Sequence, residues 1–244
     1  CLSWISRYRC CRIYRKRSTQ AVILDPNLNT GAAGILINKK TGENAINVIP
    51  GAAATIDHKF IDDHLSIIKN SKIFLTQLET SIDATMYALK MAKENGCTTI
   101  LNPAPARNLP EDCFENIDFF TPNQTEASFF INQSIESEED CQSAAKVLLD
   151  KGVKNILITL GDKGCFFKNQ EEEFLLPAKK LSVPVVDTTG AGDAFNGAFS
   201  VALSKNKNYK EAIEFANLVA GISVTREGAA NSMPTIDEIE ENIQ

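Results

Sequence analysis

Short apolar runs alternate with amphipathic stretches along most of this chain, and that alternation narrows the available folds more than any other feature. Residues 72–78, 98–102, 117–121 and 155–160 read as strands, with 72–78 buried and 155–160 central. Between them, 57–70, 81–95, a stretch through 126–130, and 137–151 read as helices. In the first helix Phe60, Ile61, Leu65 and Ile68 recur at three- and four-residue steps. In the second, Ser81 can cap a face of Ile82, Met86, Leu89 and Ala92, and Gly96 marks its end. The 137–151 helix opens on a capping-box-like Ser137-Glu138-Glu139-Asp140. Strand–helix alternation of this kind gives an α/β fold: a mainly parallel sheet with helices on both faces. Ahead of it, residues 34–38 and 44–49 flank the polar turn Lys39-Lys40-Thr41-Gly42-Glu43 and read as an antiparallel β-hairpin.

Open parallel sheets bind ligands at the carboxyl ends of their strands. Polar or glycine-bearing loops follow four strand ends here: Gln77-Leu78-Glu79, 102–106, 121–126 and 159–164. A fifth, Asp187-Thr188-Thr189-Gly190-Ala191-Gly192-Asp193, lies between the apolar run 181–186, read as β-rich, and the helix-like run 194–203. The first turn of a helix presents N–H groups and a positive dipole end to anions. Glycine there lets the main chain approach a phosphate closely. A carboxylate at the same place repels phosphate, so Asp193 makes sense if it removes a proton from a hydroxyl that attacks phosphorus. Neither G-x-x-x-x-G-K-[ST] nor an early G-x-G-x-x-G occurs. The plain alternative is a glycine-rich loop with a capping Asp.

The D-T-x-G-x-G-D pattern closely resembles the second signature of the ribokinase (PfkB-type) family of sugar kinases. Leu101-Asn102-Pro103-Ala104-Pro105-Ala106, Thr121-Pro122-Asn123-Gln124-Thr125-Glu126-Ala127, Thr159-Leu160-Gly161 and Val224-Thr225-Arg226-Glu227-Gly228-Ala229 match in the same order. Thr30-Gly31-Ala32-Ala33 resembles the lid strand. The resemblance spans about residues 25–240. It implies transfer of the γ-phosphoryl group of ATP to the 5-hydroxyl of ribose, giving ribose 5-phosphate.

By that resemblance Asp193 is the general base, and the backbone of Gly190, Ala191 and Gly192 forms the anion hole. Asn123 and Glu126 match the element that orders Mg²⁺ and phosphate through water; Asn123 also reads as a plain helix cap. Thr159, Gly161 and Gly164 match the nucleotide loop, and Asn217 the adenine region, where an exposed helix Asn is the alternative. Asp187 and Thr189, with Ser223, Arg226, Gly228 and Ser232, match a loop that holds K⁺ mostly through carbonyls. Glu79 matches a carboxylate near the sugar, and a dipole-answering helix Glu explains it equally. Family members often dimerise through the lid hairpin, placed here at about 31–49, ahead of an α/β body at about 55–244.

Residues 1–20 read differently. They carry six basic residues and no acid, so the remainder holds 19 basic and 31 acidic residues. An acidic body argues against nucleic acid as partner. No run approaches a membrane span. Cys97, Cys113, Cys141 and Cys165 have no metal spacing and read as reduced thiols of a cytoplasmic or nuclear protein. The basic segment reads as a foreign exon, with a targeting segment or a basic arm as alternatives. The family's first signature, a sugar-binding Asp and a Gly-Gly-Lys-Gly-Ala-Asn loop, has no match. The expectation is an N-terminally incomplete ribokinase-like domain over 21–244, with little or no ribose kinase activity alone. The alternatives are a noncatalytic nucleotide- or partner-binding fragment and another sugar or nucleoside kinase of the family.

Overall fold

The computed structural model describes residues 22–37, 44–179 and 181–242. The basic segment 1–20 and the hairpin turn expected at 39–43 lie outside the described residues. The hairpin strands are β1 (Thr30–Ile37) and β2 (Asn44–Gly51), antiparallel with Ala33 opposite Val48. A 3₁₀ turn, Ala52–Thr55, leads on to the body.

The body contains a six-stranded sheet in sequential order. Its strands are β3 (Ile73–Thr76), β4 (Thr98–Leu101), β5 (Phe119–Phe120), β6 (Asn155–Thr159), β7 (Cys165–Lys168) and β8 (Glu173–Leu176). Strands β3 to β6 pair in parallel, and β7 and β8 are added antiparallel. The helices are α1 (His58–Asp63), α2 (Leu65–Lys69), α3 (Ile82–Glu94), α4 (Gln124–Ile131), α5 (Glu138–Asp150), α6 (Ala191–Ser204), α7 (Tyr209–Ser223) and α8 (Ile236–Glu241).

Strand period sorts the core into two layers. Leu101, Phe120, Ile156, Ile158 and Phe166 face the layer built with Leu89, Ala127, Ala144 and Leu148 of α3, α4 and α5. Their strand neighbours Ile100, Phe119, Leu157, Cys165 and Phe167 face Phe195, Phe199, Ile213 and Ile239 of α6, α7 and α8. Both faces are therefore apolar, as the runs implied, and helices cover both. No helix among the described residues is long and apolar enough to cross a membrane.

Four expectations need correction. The 57–70 helix is two helices, because the His64 backbone, with φ −112° and ψ 10°, leaves the helical range and caps both, while its side chain folds back on Phe60, with Nδ1 2.8 Å from the Phe60 carbonyl and the rings stacked. Among the described residues, strand β3 is an edge rather than a buried strand, with Leu75 38% exposed. Residues 181–186 form no strand. Pro184 offers no donor, and the N–H groups of Val186 and Asp187 share one acceptor, the Val224 carbonyl, instead of a ladder. The antiparallel pair β7–β8 was not anticipated. Its turn is local: the Asn169 side chain accepts from the Glu171 and Glu172 N–H groups.

Candidate active site

The register of the parallel strands places three polar side chains in a row. Thr76 of β3 pairs with Leu101 of β4, which pairs with Phe120 of β5. The next residue on each strand is Gln77, Asn102 and Thr121, so all three stand side by side at the carboxyl ends. Gln77 Nε2 donates to Asn102 Oδ1 (3.0 Å), and Asn102 Nδ2 donates to the Thr121 carbonyl (2.9 Å). The Thr121 hydroxyl donates to Asn196 Oδ1 (2.6 Å), and Asn196 Nδ2 to the Gly192 carbonyl (2.9 Å). Gln77 Nε2 also donates to Asp193 Oδ1 (2.8 Å). The bonds thus close a ring from the sheet to the first turn of α6 and back. Asn102, Thr121 and Asn196 are buried, and Asp193 is exposed.

Gly190 is the N-cap of α6, and its φ of +79° suits glycine. A Cβ there would also press on Ala229 and Met233 at 3.3 Å. The helix starts at Ala191, so Gly192 and Asp193 belong to its first turn rather than to the loop before it. The Ala191 N–H is spent on the Thr188 carbonyl (3.2 Å).

Asp187 braces the segment ahead of this turn. It is 1% exposed, and its two oxygens accept from the N–H groups of Thr189 (2.8 Å) and Gly228 (2.9 Å). The Thr189 hydroxyl and the two amides hold the Asp187 carboxyl below its ordinary value, against the opposing effect of burial. Ser223 and Ser232 are buried, and their hydroxyls donate to the carbonyls of Ala220 and Ala229. The Arg226 guanidinium turns to Glu238 (2.8 Å) and draws that carboxyl down to about 2, leaving only Arg226's backbone for any ion in the loop.

Asn123 caps α4 in a reciprocal box: Asn123 Oδ1 accepts from the Glu126 N–H and Glu126 Oε2 from the Asn123 N–H, both at 2.8 Å. Burial pushes the Glu126 carboxyl above its ordinary value, partly offset by the Asn123 amide. Thr159 sits beside this cap, through its N–H to the Pro122 carbonyl (3.0 Å) and a parallel bridge to Asn123. Gly161 begins the short turn that Gly164 closes with φ +102°. A Cβ on Gly164 would stand 2.0 Å from the Leu176 carbonyl, so the loop lies directly on the end of β8. Asn217 is buried rather than exposed, and its amide donates to the Leu176 and Pro177 carbonyls (3.4 Å each). Gly164 and Asn217 therefore meet through the 176–178 segment, and Gly161 joins them only through its carbonyl, which accepts from the Gly164 N–H (3.1 Å).

Of the residues singled out from sequence, Glu79 alone stands apart, exposed and without a hydrogen bond or ion pair to the described residues. Gln77, Asn102, Thr121 and Asn196 were not singled out. Their common signal is a polar side chain at the first position after an apolar strand, or three residues after the carboxylate on a helix. A cavity of about 450 Å³ around Lys93, Asp118, Lys154 and Tyr209 opens at the opposite end of the sheet and takes no part in this site. No cluster of three or more His, Cys, Asp or Glu able to hold a metal occurs among the described residues. A divalent ion here would rely on phosphate oxygens and its own water, as Mg²⁺ commonly does.

The family model for pfkB family carbohydrate kinases matches residues 18–236. The ribokinase of Haemophilus influenzae is 39% identical over 209 residues, covering 86% of this chain and 67% of that protein. Among solved structures, the ribokinase of Thermotoga maritima superposes with a TM-score of 0.78 at 38% identity, over 88% of this chain and 70% of the other. The Arabidopsis thaliana ribokinase complexed with ribose and ATP superposes with a TM-score of 0.81 at 31% identity, over 91% and 73%. With this fold, these strand-end residues and a family match across most of its length, the chain belongs to the pfkB family of carbohydrate kinases.

Proposed function

We propose that this sugar kinase transfers the γ-phosphoryl group of ATP to the 5-hydroxyl of D-ribose, giving ribose 5-phosphate, with Asp193 as the base. The observation that carries the reading is the position of the Asp193 carboxylate. It stands exposed on the first turn of α6, at the carboxyl ends of parallel strands, with one oxygen bonded to Gln77. A carboxylate so placed can accept the hydroxyl proton as that oxygen attacks phosphorus. Gly190, Ala191 and Gly192 supply main-chain N–H groups to the developing charge; the long Ala191–Thr188 contact gives way as phosphate enters. Thr159, Gly161, Gly164 and Asn217 would hold the nucleotide, and Glu79 is assigned to the sugar on the family resemblance alone.

Asn123 and Glu126 would hold water for Mg²⁺, which would neutralise phosphate charge. The K⁺ reading rests on Asp187: a carboxylate 1% exposed whose bonded partners are neutral N–H and hydroxyl groups. A monovalent cation held by it and by carbonyls of the loop bearing Thr189, Ser223, Arg226, Gly228 and Ser232 would balance its charge. The hairpin exposes Ile35, Leu36, Val48 and Ile49, which suits a second copy of the chain.

The test is ADP release by the purified chain with ribose, with fructose and a nucleoside as competing acceptors. Asp193→Asn should lose at least ~10²-fold, the lower range for a positioned acid or base. Near-normal turnover by that variant overturns the assignment, and faster phosphorylation of fructose or nucleoside reassigns the substrate. Equal rates in K⁺ and Na⁺ count against the cation loop.

A further inference from the structure

Gln77 contributes the one side chain bonded to the Asp193 carboxylate among the described residues, and it is itself held in a single orientation. Its Nε2 faces two acceptors, Asp193 Oδ1 and Asn102 Oδ1, at 2.8 and 3.0 Å. Turning the amide over would set its oxygen against both. Asn102 is fixed in turn, because its oxygen accepts from Gln77 while its nitrogen donates to the Thr121 carbonyl. Asn196 meets the same requirement, accepting from the Thr121 hydroxyl and donating to the Gly192 carbonyl. Each donor in the ring has an acceptor, and no amide can flip without losing two bonds.

The arrangement does more than satisfy buried polar groups. Residues at the sheet end hold α6 at two points, the Thr121 hydroxyl on Asn196 and the Gln77 amide on the Asp193 carboxylate, while the Asn196–Gly192 bond ties the two points together within the helix. We propose that Gln77, oriented by Asn102, is a positioning residue that fixes one oxygen of Asp193 so that the other meets the acceptor hydroxyl. The inference rests on the reading of Asp193 as base and goes beyond it by naming what aims that base. Without Gln77, the Asp193 side chain is free to rotate about its own torsions, and a displacement on the order of 1 Å can cost ~10²-fold in rate.

Steady-state kinetics on the purified chain with ribose and MgATP, using Gln77→Leu, Asp193→Asn and the double variant, tests the proposal. Gln77→Leu should lower kcat about tenfold or more while KM for ATP changes less than about twofold. In the Asp193→Asn background the same substitution should change kcat less than about threefold, because the group it aims is already gone. Independent losses that multiply in the double variant, or normal kcat in Gln77→Leu, overturn the positioning role while leaving the base in place. Near-normal turnover by Asp193→Asn overturns the base, and the positioning role with it; where the unsubstituted chain shows no turnover, the NMR comparison below decides the positioning role. If Gln77→Leu fails to fold, NMR of the otherwise unsubstituted chain decides. Asp193→Ala should move the Gln77 side-chain amide resonances and leave those of Asn155, at the other end of the sheet, in place. Unmoved Gln77 resonances overturn the inference.

Discussion

Removing the Asp187 carboxylate should loosen the loop that feeds α6, by an amount that follows from its bonds. The group is 1% exposed and accepts from two main-chain N–H groups, Thr189 at 2.8 Å and Gly228 at 2.9 Å. Asp187→Ala removes the acceptor from a buried N–H, Thr189, and from a half-buried one, Gly228, and a buried unsatisfied donor costs about 1–3 kcal/mol. The variant also removes a buried charge whose desolvation opposed folding, so the net loss should fall in the lower half of the summed range, about 2–4 kcal/mol. In a chain of this size each kcal/mol moves the midpoint by about 2–4 °C, so Tm should drop by roughly 5–15 °C. Asp187→Asn keeps one acceptor but turns an NH₂ toward the other N–H, so it should recover at most about half of the loss. The pH dependence carries a definite sign. The folded carboxyl titrates below its ordinary value, so its contribution is complete above the unfolded value of about 3.9 and disappears as pH falls through the folded one. Thermal melts at neutral pH and on lowering the pH through the carboxylate range, with hydrogen exchange at Gly228, measure both effects. An Asn variant that melts with the wild type, with Gly228 still protected, would refute the reasoning.

Two further outcomes are open to direct measurement. Gly164→Ala puts a methyl 2.0 Å from the Leu176 carbonyl at a φ of +102°, and should destabilise by more than about 1 kcal/mol, the ordinary cost of lost glycine freedom; an unchanged denaturation midpoint would show that the 161–164 loop does not rest on β8. Burial pushes the thiols of Cys97, Cys113, Cys141 and Cys165 up, Cys113 to about 12, so none of the four should react with a thiol reagent at neutral pH before unfolding. Mass mapping of a labelled Cys165 in the native protein would contradict that burial.

Local signals made most of the fold legible. The apolar runs that became β4, β5 and β6 are continuous because both of their faces are covered, and the caps at Ser81, Asn123 and Ser137 formed where their spacing indicated. The failures have local physical causes as well. Residues 181–186 carry strand-forming side chains, yet Val183 and Val185 are more than half exposed, because a chain with one shared carbonyl acceptor has no neighbour to pleat against. For Asn217, read as an adenine-region residue with an exposed helix Asn as the alternative, only the alternative fails: its amide is buried, and two carbonyls at the end of β8 accept from it.

The site divides along the same line. Asp193 could be read from its own loop, because a carboxylate among helix-opening glycines is anomalous wherever it occurs. Gln77 could not, because its partner is 116 residues away in sequence. Nothing local marks an amide after an apolar strand as different from any other strand-end residue. What distinguishes it is register. Pairing Thr76 with Leu101 and Leu101 with Phe120 sets Gln77, Asn102 and Thr121 abreast at the usual strand spacing of roughly 4.8 Å. A slip of one residue in β4 would turn Asn102 to the other face and break the row, leaving buried amides without partners. The same pairings that bury Ile100 and Leu101 on opposite faces also set the row from which Gln77 reaches Asp193, so under the proposed role the carboxylate's placement depends on the register of β4 and β5, which do not themselves bond to it.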